Sequence, residues 1–245
     1  MRIAAAQMSP KAGDIMYNLH EHYRLIGLAA ENGVKLIAFP EMSITGYIRE
    51  SAESLALTET DPRIDKLRNL AAENDIIIIA GAPIKTDSAL HIGSFILFPD
   101  GSLSIYTKQF LHAGEEEFFT PCLTNNPMIN VENERISLAI CADITNPIHP
   151  ENAHKSHCTI YIASIFYTPG AMAEAFDLLS NYAKTYAMNV LMANFCGETW
   201  GKKAGGKSAL WSSEGRFIAG LDDASSGLVI GDINQNEIAG KQMIL

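Results

Sequence analysis

The sequence predicts a mixed α/β fold, because two kinds of signal recur along its 245 residues. Short apolar runs rich in β-branched residues alternate with segments whose apolar residues recur at helical spacing. A hairpin signal, Pro99-Asp100-Gly101-Ser102, joins two of the strand-like runs. Alternating strands and helices, together with a hairpin, indicate mixed sheets covered by helices. We find no repeat or linker-like stretch, so we expect a single domain over residues 1–245.

The individual elements follow this alternation in order. Strands are predicted at residues 2–8, 34–39, 76–80, about 89–98, 102–107, 135–140, 158–164 and 190–194, with two or three more towards the C-terminus. Helices are predicted at residues 14–32, 62–74 and 172–188. Asp14 is a suitable N-cap for the first helix, Gly33 a stop signal after it, and Pro62 a first-turn residue of the second. Residues 76–80 are apolar on both faces, which indicates a strand inside a covered sheet.

Composition and charge narrow the possible partners and locations. The formal net charge of −10 argues against nucleic acid or an anionic membrane as the main partner. The apolar run at the N-terminus is short and interrupted by Gln7, so we expect neither a signal peptide nor a transmembrane helix. The four cysteines are widely spaced and form no CxxC pair. Free thiols and a cytoplasmic location are therefore expected.

Three residues at predicted strand ends carry the chemistry. Glu41 follows the second strand, Lys108 follows the hairpin, and Cys141 lies at the tip of the 135–140 strand. Taken singly, each has an ordinary explanation: a solvated loop carboxylate, a surface lysine and a buried structural cysteine. Together they are more specific, because a cysteine needs a base or a nearby cation to become a thiolate. A partly buried glutamate can be that base, and a lysine can stabilise the thiolate and a developing oxyanion.

These segments resemble the nitrilase superfamily, also called the carbon–nitrogen hydrolases. The similarity extends over essentially the whole chain. The matching segments are Ala6-Gln7-Met8, Phe39-Pro40-Glu41 with Gly46-Tyr47, Tyr106-x-Lys108-x-x-Leu111, Cys141-x-Asp143, Gly206-Lys207-Ser208 and Ser213-Glu214-Gly215. The resemblance implies a four-layer α-β-β-α sandwich, usually paired into a homodimer, and hydrolysis of a non-peptide carbon–nitrogen bond without a metal or organic cofactor.

The resemblance also assigns roles to residues. It implies that Glu41 is the general base, Lys108 the supporting cation and Cys141 the nucleophile. A second, substrate-positioning glutamate is expected in the acidic run at 115–117, where the spacing to the following aromatic pair favours Glu115 over Glu117. The backbone N–H of Ala142 is expected to donate to the oxyanion. The expected substrate is a small linear amide or an N-carbamoyl compound rather than a nitrile.

One departure from the family pattern keeps other functions open. Many members carry an aromatic residue after the cysteine and then Arg-Phe-Pro-Glu, whereas this chain has Ala142 followed by Ile144 to Pro150. Two alternatives are therefore an inactive, regulatory binding protein on the same fold and a redox-reactive thiol protein. Tyr167, Thr168 and Asn194 follow strand ends and are candidates to line a pocket. His112, His149, His154 and His157 suggest a metal site or a Cys–His pair, but the last three lack a carboxylate pattern of the HExxH type, and surface or supporting histidines are the ordinary explanation.

Overall fold

Two β-sheets form the centre of the molecule in the computed structural model, which describes residues 1–87, 89–234 and 237–245. The strands are β1 (Arg2–Gln7), β2 (Leu36–Ala38), β3 (Ile77–Lys85), β4 (Leu90–Leu97), β5 (Leu103–Thr107), β6 (Ile129–Val131), β7 (Glu134–Ile140), β8 (Ile160–Ser164), β9 (Asn189–Ala193), β10 (Glu198–Thr199), β11 (Lys202–Lys203), β12 (Ala209–Trp211), β13 (Phe217–Gly220), β14 (Gly227–Asn234) and β15 (Glu237–Ile244). The α-helices are α1 (Ile15–Glu31), α2 (Ala52–Leu55), α3 (Asp65–Asn74), α4 (Ile148–Lys155) and α5 (Met172–Tyr186).

Each sheet has a parallel centre and antiparallel edges. The first sheet has the order β15-β14-β1-β2-β3-β4-β5, and the second has the order β13-β12-β9-β8-β7-β6. Strands β1, β2 and β3 run parallel, as do β7, β8 and β9. Strands β10 and β11 form a separate small hairpin. Since sites in α/β proteins are built beyond the carboxyl ends of parallel strands, this topology provides such an edge in each sheet.

The sheets face each other and helices cover their outer sides. Strand β1 contacts β9 and β13 contacts β15 across the interface between the sheets, whereas α1 and α3 pack on the first sheet and α5 packs on the second. Apolar side chains from both sheets fill this interface, including Leu36, Ile79, Ile162 and Leu191, which have no exposed surface. The α-β-β-α layering confirms the predicted fold class. No helix in the described ranges is long and apolar enough to cross a membrane.

Most predicted elements are present, and the differences have local causes. Asp14 caps α1, as predicted, by accepting a hydrogen bond from the Tyr17 N–H at 3.0 Å. The helix predicted at 62–74 opens with a 3₁₀ turn at Pro62–Ile64. Helix α4 was not predicted, because its short polar sequence buries only His149, Pro150 and Ala153 and shows no helical apolar period. Strands β6, β10 and β11 were also missed, since two or three residues are too few for a periodic signal.

Candidate active site

The carboxyl ends of three strands converge on one pocket. Glu41 follows β2 of the first sheet, Lys108 follows β5, and Cys141 follows β7 of the second sheet. Glu41 and Cys141 line a cavity of about 690 Å³, a volume within the range of small-molecule sites. Lys108 lies directly behind this surface, with no exposed side-chain area. The structure thus brings together the three residues singled out in the sequence.

A tight turn after β2 fixes the position of Glu41. The residue after it, Met42, has a positive φ of 49°, and the turn lies directly on Gly81 of β3. A Cβ atom at Gly81 would lie 2.5 Å from the Met42 nitrogen, so only glycine permits this close approach. Ser43 Oγ accepts a hydrogen bond from the Gly81 N–H at 3.1 Å and contacts His22 Nε2 of α1 at 2.9 Å. The turn is therefore held by both the sheet and the helix that covers it.

A buried ionic cluster links Glu41, Lys108, Glu115 and Tyr47. Lys108 Nζ donates to Glu41 Oε1 at 2.7 Å and to the Glu115 carboxylate at 2.8 Å. The Tyr47 hydroxyl donates to Glu115 at 2.7 Å. Both Glu41 and Glu115 have no exposed surface, whereas Glu117 is exposed. Of the two glutamates that the sequence left open, Glu115 is therefore the one that contacts Lys108.

The charges in this cluster leave Glu41 ready to take up a proton. Burial raises the pKa of Glu41 to about 7, with Glu115 adding to the rise and Lys108 opposing it. Burial acts on Glu115 in the same direction, but the charge of Lys108 and several hydrogen bonds outweigh it and hold the pKa below its ordinary value. Burial alone would lower the pKa of Lys108, yet the surrounding acidic groups raise it and keep the ammonium charged. Two carboxylates thus share one cation, and Glu41 is the weaker acid.

The nucleophile candidate lies at a strained junction between strand and helix. Cys141 has a positive φ of 44°, an uncommon conformation for a residue with a side chain, and it begins a 3₁₀ helix at Cys141–Thr145. Burial and the nearby Glu41 raise the thiol pKa well above its usual value, against the opposing effect of Lys108. The N–H of Ala142 lies in the first turn of this helix, where N–H groups have no partner within the helix and can face a ligand.

A second buried polar group near Cys141 is the aspartate network of Tyr106, Asp143, His149 and Tyr161. The Tyr106 hydroxyl donates to Asp143 Oδ2 at 2.6 Å and lies 2.9 Å from His149 Nε2. His149 Nδ1 lies 2.8 Å from the Tyr161 hydroxyl. The Tyr106 hydroxyl donates its proton to Asp143, so it can only accept a hydrogen bond from His149. We therefore assign the His149 proton to Nε2, and Nδ1 accepts a hydrogen bond from the Tyr161 hydroxyl. Burial lowers the pKa of His149, which agrees with a neutral ring.

Asp143 connects this network to the segments that carry Lys108 and Cys141. Its Oδ1 accepts from the backbone N–H groups of Gln109 and Phe110 at 2.9 and 2.8 Å, and its Oδ2 accepts from the Ile140 N–H at 2.8 Å. One carboxylate therefore fixes the chain just after Lys108 and the residue just before Cys141. The Cys-x-Asp and Tyr-x-Lys motifs contain Asp143 and Tyr106, but no pattern in the sequence indicates that the two residues are in contact.

His112 is a contact of the thiol that the sequence did not assign. Its Nε2 lies 3.2 Å from Cys141 Sγ, and its ring lines the pocket. The sequence left a metal site and a Cys–His pair open for this histidine, and within the described part of the chain no group of three or more His, Cys, Asp or Glu side chains is arranged to hold a metal ion. The feature of the sequence that could have indicated this contact is the position of His112, four residues after Lys108 on the loop that borders the pocket.

The remaining pocket wall is aromatic and polar. Tyr167 and Thr168 line it, as expected, whereas the Asn194 side chain lies beneath the wall, where it accepts from the Tyr167 N–H at 3.1 Å and donates to the Gly206 carbonyl oxygen at 2.9 Å. At the rim, the Arg49 guanidinium lies 4.1 Å from the centroid of the Trp200 ring. Lys202 Nζ lies 4.6 Å from the same centroid. The rim is therefore aromatic and cationic, although the whole chain is acidic.

Comparisons with known proteins agree with this geometry. The sequence model of the family described as "Carbon-nitrogen hydrolase" matches residues 2–241. A nitrilase from Pyrococcus abyssi is 24% identical over 254 residues, with 99% of this chain and 93% of that protein covered. An arylacetonitrilase from Aspergillus niger is 23% identical over 279 residues, with 97% of this chain and 84% of that protein covered.

Solved structures show the same fold. The NitN amidase from Nesterenkonia sp. AN1 superposes with a TM-score of 0.87 and is 22% identical, with 96% of this chain and 93% of that chain covered. A variant of that amidase has been solved in complex with butyramide. At this level of identity the likeness establishes the fold.

Proposed function

The chain belongs to the carbon–nitrogen hydrolase family of the nitrilase superfamily, and from that premise we propose that it hydrolyses a small linear amide through a thioester at Cys141. The observation that carries the proposal is the ionic cluster at the thiol. Glu41 Oε1 accepts a hydrogen bond from Lys108, whereas Glu41 Oε2 has no hydrogen-bond partner among the described residues. A buried carboxylate oxygen left free beside a thiol is suited to proton transfer.

The first half of the reaction forms the acyl-enzyme. Glu41 takes the thiol proton while the sulfur of Cys141 attacks the carbonyl carbon of the amide. The carbonyl oxygen becomes an oxyanion, which the Lys108 ammonium and the Ala142 N–H stabilise. The carbon–nitrogen bond then breaks, and Glu41 returns its proton to the departing nitrogen, so that ammonia or an amine leaves and a thioester remains.

The second half releases the acid. Water enters the place of the departed amine, and Glu41, again ionised, removes its proton as the oxygen attacks the thioester carbon. The carbon–sulfur bond breaks, Glu41 gives the proton that it took from water to the sulfur, and the carboxylic acid leaves, so that the thiol and the ionised Glu41 are restored. Glu115 supports both halves, because its charge and its contact hold Lys108 in place. In this scheme every proton is carried by a group in or beside the pocket.

The choice of an amide is supported by the solved amidases, one of them with butyramide. Nitrile hydrolysis is the second candidate, because the curated relatives are named nitrilases and arylacetonitrilases. The arylacetonitrilases are longer than this chain, which covers 84% of the one from Aspergillus niger. N-carbamoyl compounds present the same carbonyl–nitrogen bond and belong to the same proposal. The homodimer and the cytoplasmic location expected from the sequence stay predictions.

The test is ammonia release from matched substrates. Butyramide, butyronitrile, an N-carbamoyl amine and an amide with a terminal carboxylate are compared at equal concentration, the last because Arg49 and Lys202 line the pocket. We expect butyramide to be turned over faster than butyronitrile. Cys141→Ala is expected to lower kcat/KM by at least ~10³-fold. Faster turnover of the nitrile would favour the second candidate, and undiminished turnover by Cys141→Ala would contradict the mechanism.

The two alternatives from the sequence predict different results. A regulatory protein on this fold would bind an amide without releasing ammonia. A redox-reactive thiol protein would retain its function in Glu41→Gln, because that function needs only the thiol. Loss of amide turnover in Glu41→Gln, with Cys141 still reactive towards an alkylating reagent, would exclude the redox interpretation.

A further inference from the structure

The thiol of Cys141 has two basic neighbours, and the mechanism above uses only one of them. Glu41 lines the same pocket as the thiol, and its charge raises the thiol pKa. His112 lies against it from the loop that follows Lys108, with Nε2 3.2 Å from Sγ. This separation is within the range of a hydrogen bond to sulfur, whose large radius lengthens such contacts. An imidazole in contact with a cysteine is an arrangement that activates the thiol in other enzymes.

The position of His112 is built into the ionic cluster. The backbone N–H of His112 donates to Glu115 Oε2 at 2.8 Å, and the backbone N–H of Glu115 donates to the His112 carbonyl oxygen at 3.0 Å. The same carboxylate therefore holds Lys108 on one side and the backbone of His112 on the other. Because its backbone is anchored in this way, His112 is held at a position from which its ring reaches the thiol.

Burial and the neighbouring charges together favour the neutral form of the His112 ring. Burial and the Lys108 cation lower its pKa, with Arg49 acting in the same direction, while the carboxylates of Glu115 and Asp143 oppose the shift in part. A neutral imidazole has one nitrogen with a free lone pair, which can accept a proton. His112 is half-buried and lines the pocket, so that its ring also faces the space that the substrate would occupy.

We propose that His112 is a further catalytic residue, which accepts the Cys141 thiol proton at Nε2 and activates the nucleophile alongside Glu41. In this step the S–H bond breaks, the proton bonds to Nε2, and the sulfur electron pair forms the bond to the carbonyl carbon. The imidazolium then returns the proton to the departing nitrogen. The inference rests on the proposed function insofar as Cys141 is the nucleophile.

A second acceptor matters most when the first already holds a proton. Because the pKa of Glu41 is about 7, a growing fraction of Glu41 is protonated as the pH falls below neutrality. His112, with a pKa below its usual value, is still neutral in part of that range and can still accept. The contribution of His112 is therefore expected to grow between pH 8 and pH 6, which a purely structural role would not produce.

The test measures the reactivity of the thiol and needs no substrate. Iodoacetamide alkylation of Cys141 is followed by mass spectrometry in a Cys122→Ser background, because Cys122 is partly exposed and its pKa is lowered to about 7. The proteins compared carry Glu41→Gln, His112→Gln, both changes or neither, and His154→Gln is the control at an exposed histidine far from the thiol. We expect the double variant to react roughly 10²-fold more slowly than Glu41→Gln alone. The loss in His112→Gln is expected to be larger at pH 6 than at pH 8.

Equal alkylation rates with and without His112 at both pH values would overturn the proposal. If His112→Gln unfolds, ¹⁵N-histidine NMR of the protein with an intact His112 replaces it, with the His112 titration compared before and after Cys141→Ser. A titration that does not move on removal of the thiol would equally overturn the proposal. Since alkylation is independent of amide turnover, a dependence on His112 without ammonia release would leave this inference standing and count against the proposed function alone.

Discussion

The ionic cluster and the aspartate network both lie near Cys141, and they differ in how many hydrogen bonds their buried carboxylates accept. Asp143 accepts four hydrogen bonds, from Tyr106 and three backbone N–H groups. Glu41 also has no exposed surface, yet its Oε2 has no partner among the described residues. Leaving a buried polar atom unpaired costs about 1–3 kcal/mol, so folding alone gives no reason for it. The difference separates a carboxylate that holds the chain in place from one that is free to react.

The largest effect is expected from Lys108→Met, which removes the cation shared by Glu41 and Glu115. Two buried carboxylates would then face each other, and the free energy of unfolding is expected to fall by about 3–5 kcal/mol. The oxyanion would lose its charged partner, so that kcat/KM falls by ~10³-fold or more. Urea unfolding and amide kinetics measure the two losses. Lys108→Arg keeps the charge and is the matched control; an active, stable Lys108→Met enzyme would refute the role of the cluster.

The second prediction compares the two carboxylates directly. Asp143→Asn replaces an acceptor oxygen with a donor that faces backbone N–H groups, and is expected to lower the free energy of unfolding by about 2–4 kcal/mol. Glu41→Gln is expected to abolish turnover with little change in that free energy, because the carboxylate is already incompletely paired. Urea titrations of both variants, with kinetics on the folded fraction, give the comparison. Equal stability losses would remove the distinction drawn here.

The third prediction concerns the pH dependence of kcat/KM, because the proposed mechanism requires Glu41 in its ionised form. Since the base must be deprotonated, kcat/KM is expected to rise with pH through a midpoint near 7, the pKa of Glu41. Glu115 raises that pKa through its charge, so Glu115→Gln is expected to move the midpoint to lower pH. Asp143→Asn, which lies in the other network, should leave the midpoint in place. In His112→Gln, which lacks the second proton acceptor, a profile that is flat between pH 6 and pH 8 would show that Glu41 is not the group that titrates.

The smallest effect is expected from Tyr106→Phe in the aspartate network. The change removes one of four hydrogen bonds to Asp143 and leaves the His149 N–H without its acceptor, for an expected loss of about 1–2 kcal/mol in the free energy of unfolding. The pH midpoint of kcat/KM should not change. Tyr23→Phe, at a partly exposed tyrosine of α1, is the control for the substitution itself. A shifted midpoint would show that the two networks are coupled.

Much of the fold followed from the sequence because its signals are local. The strand at 76–80 is apolar at every position. The apolar residues of α1 recur at helical spacing, and Asp14 precedes the helix as its N-cap. Short or polar elements such as α4 escaped detection, since their burial depends on neighbours far along the chain. The family was also readable, because Glu41, Lys108 and Cys141 stand at strand ends in a recognisable order.

The residue types, their place at strand ends and, through the resemblance, the family can be recognised without a structure. Three contacts become visible only in the folded chain: Glu115 rather than Glu117 with Lys108, His112 with the thiol, and Asp143 with the segments after Lys108 and before Cys141. The physical reason is that each of these contacts joins segments folded from different elements, with distances set by the packing of two sheets. A hydrogen bond requires an accuracy of a few tenths of an ångström, which no local pattern in a sequence encodes.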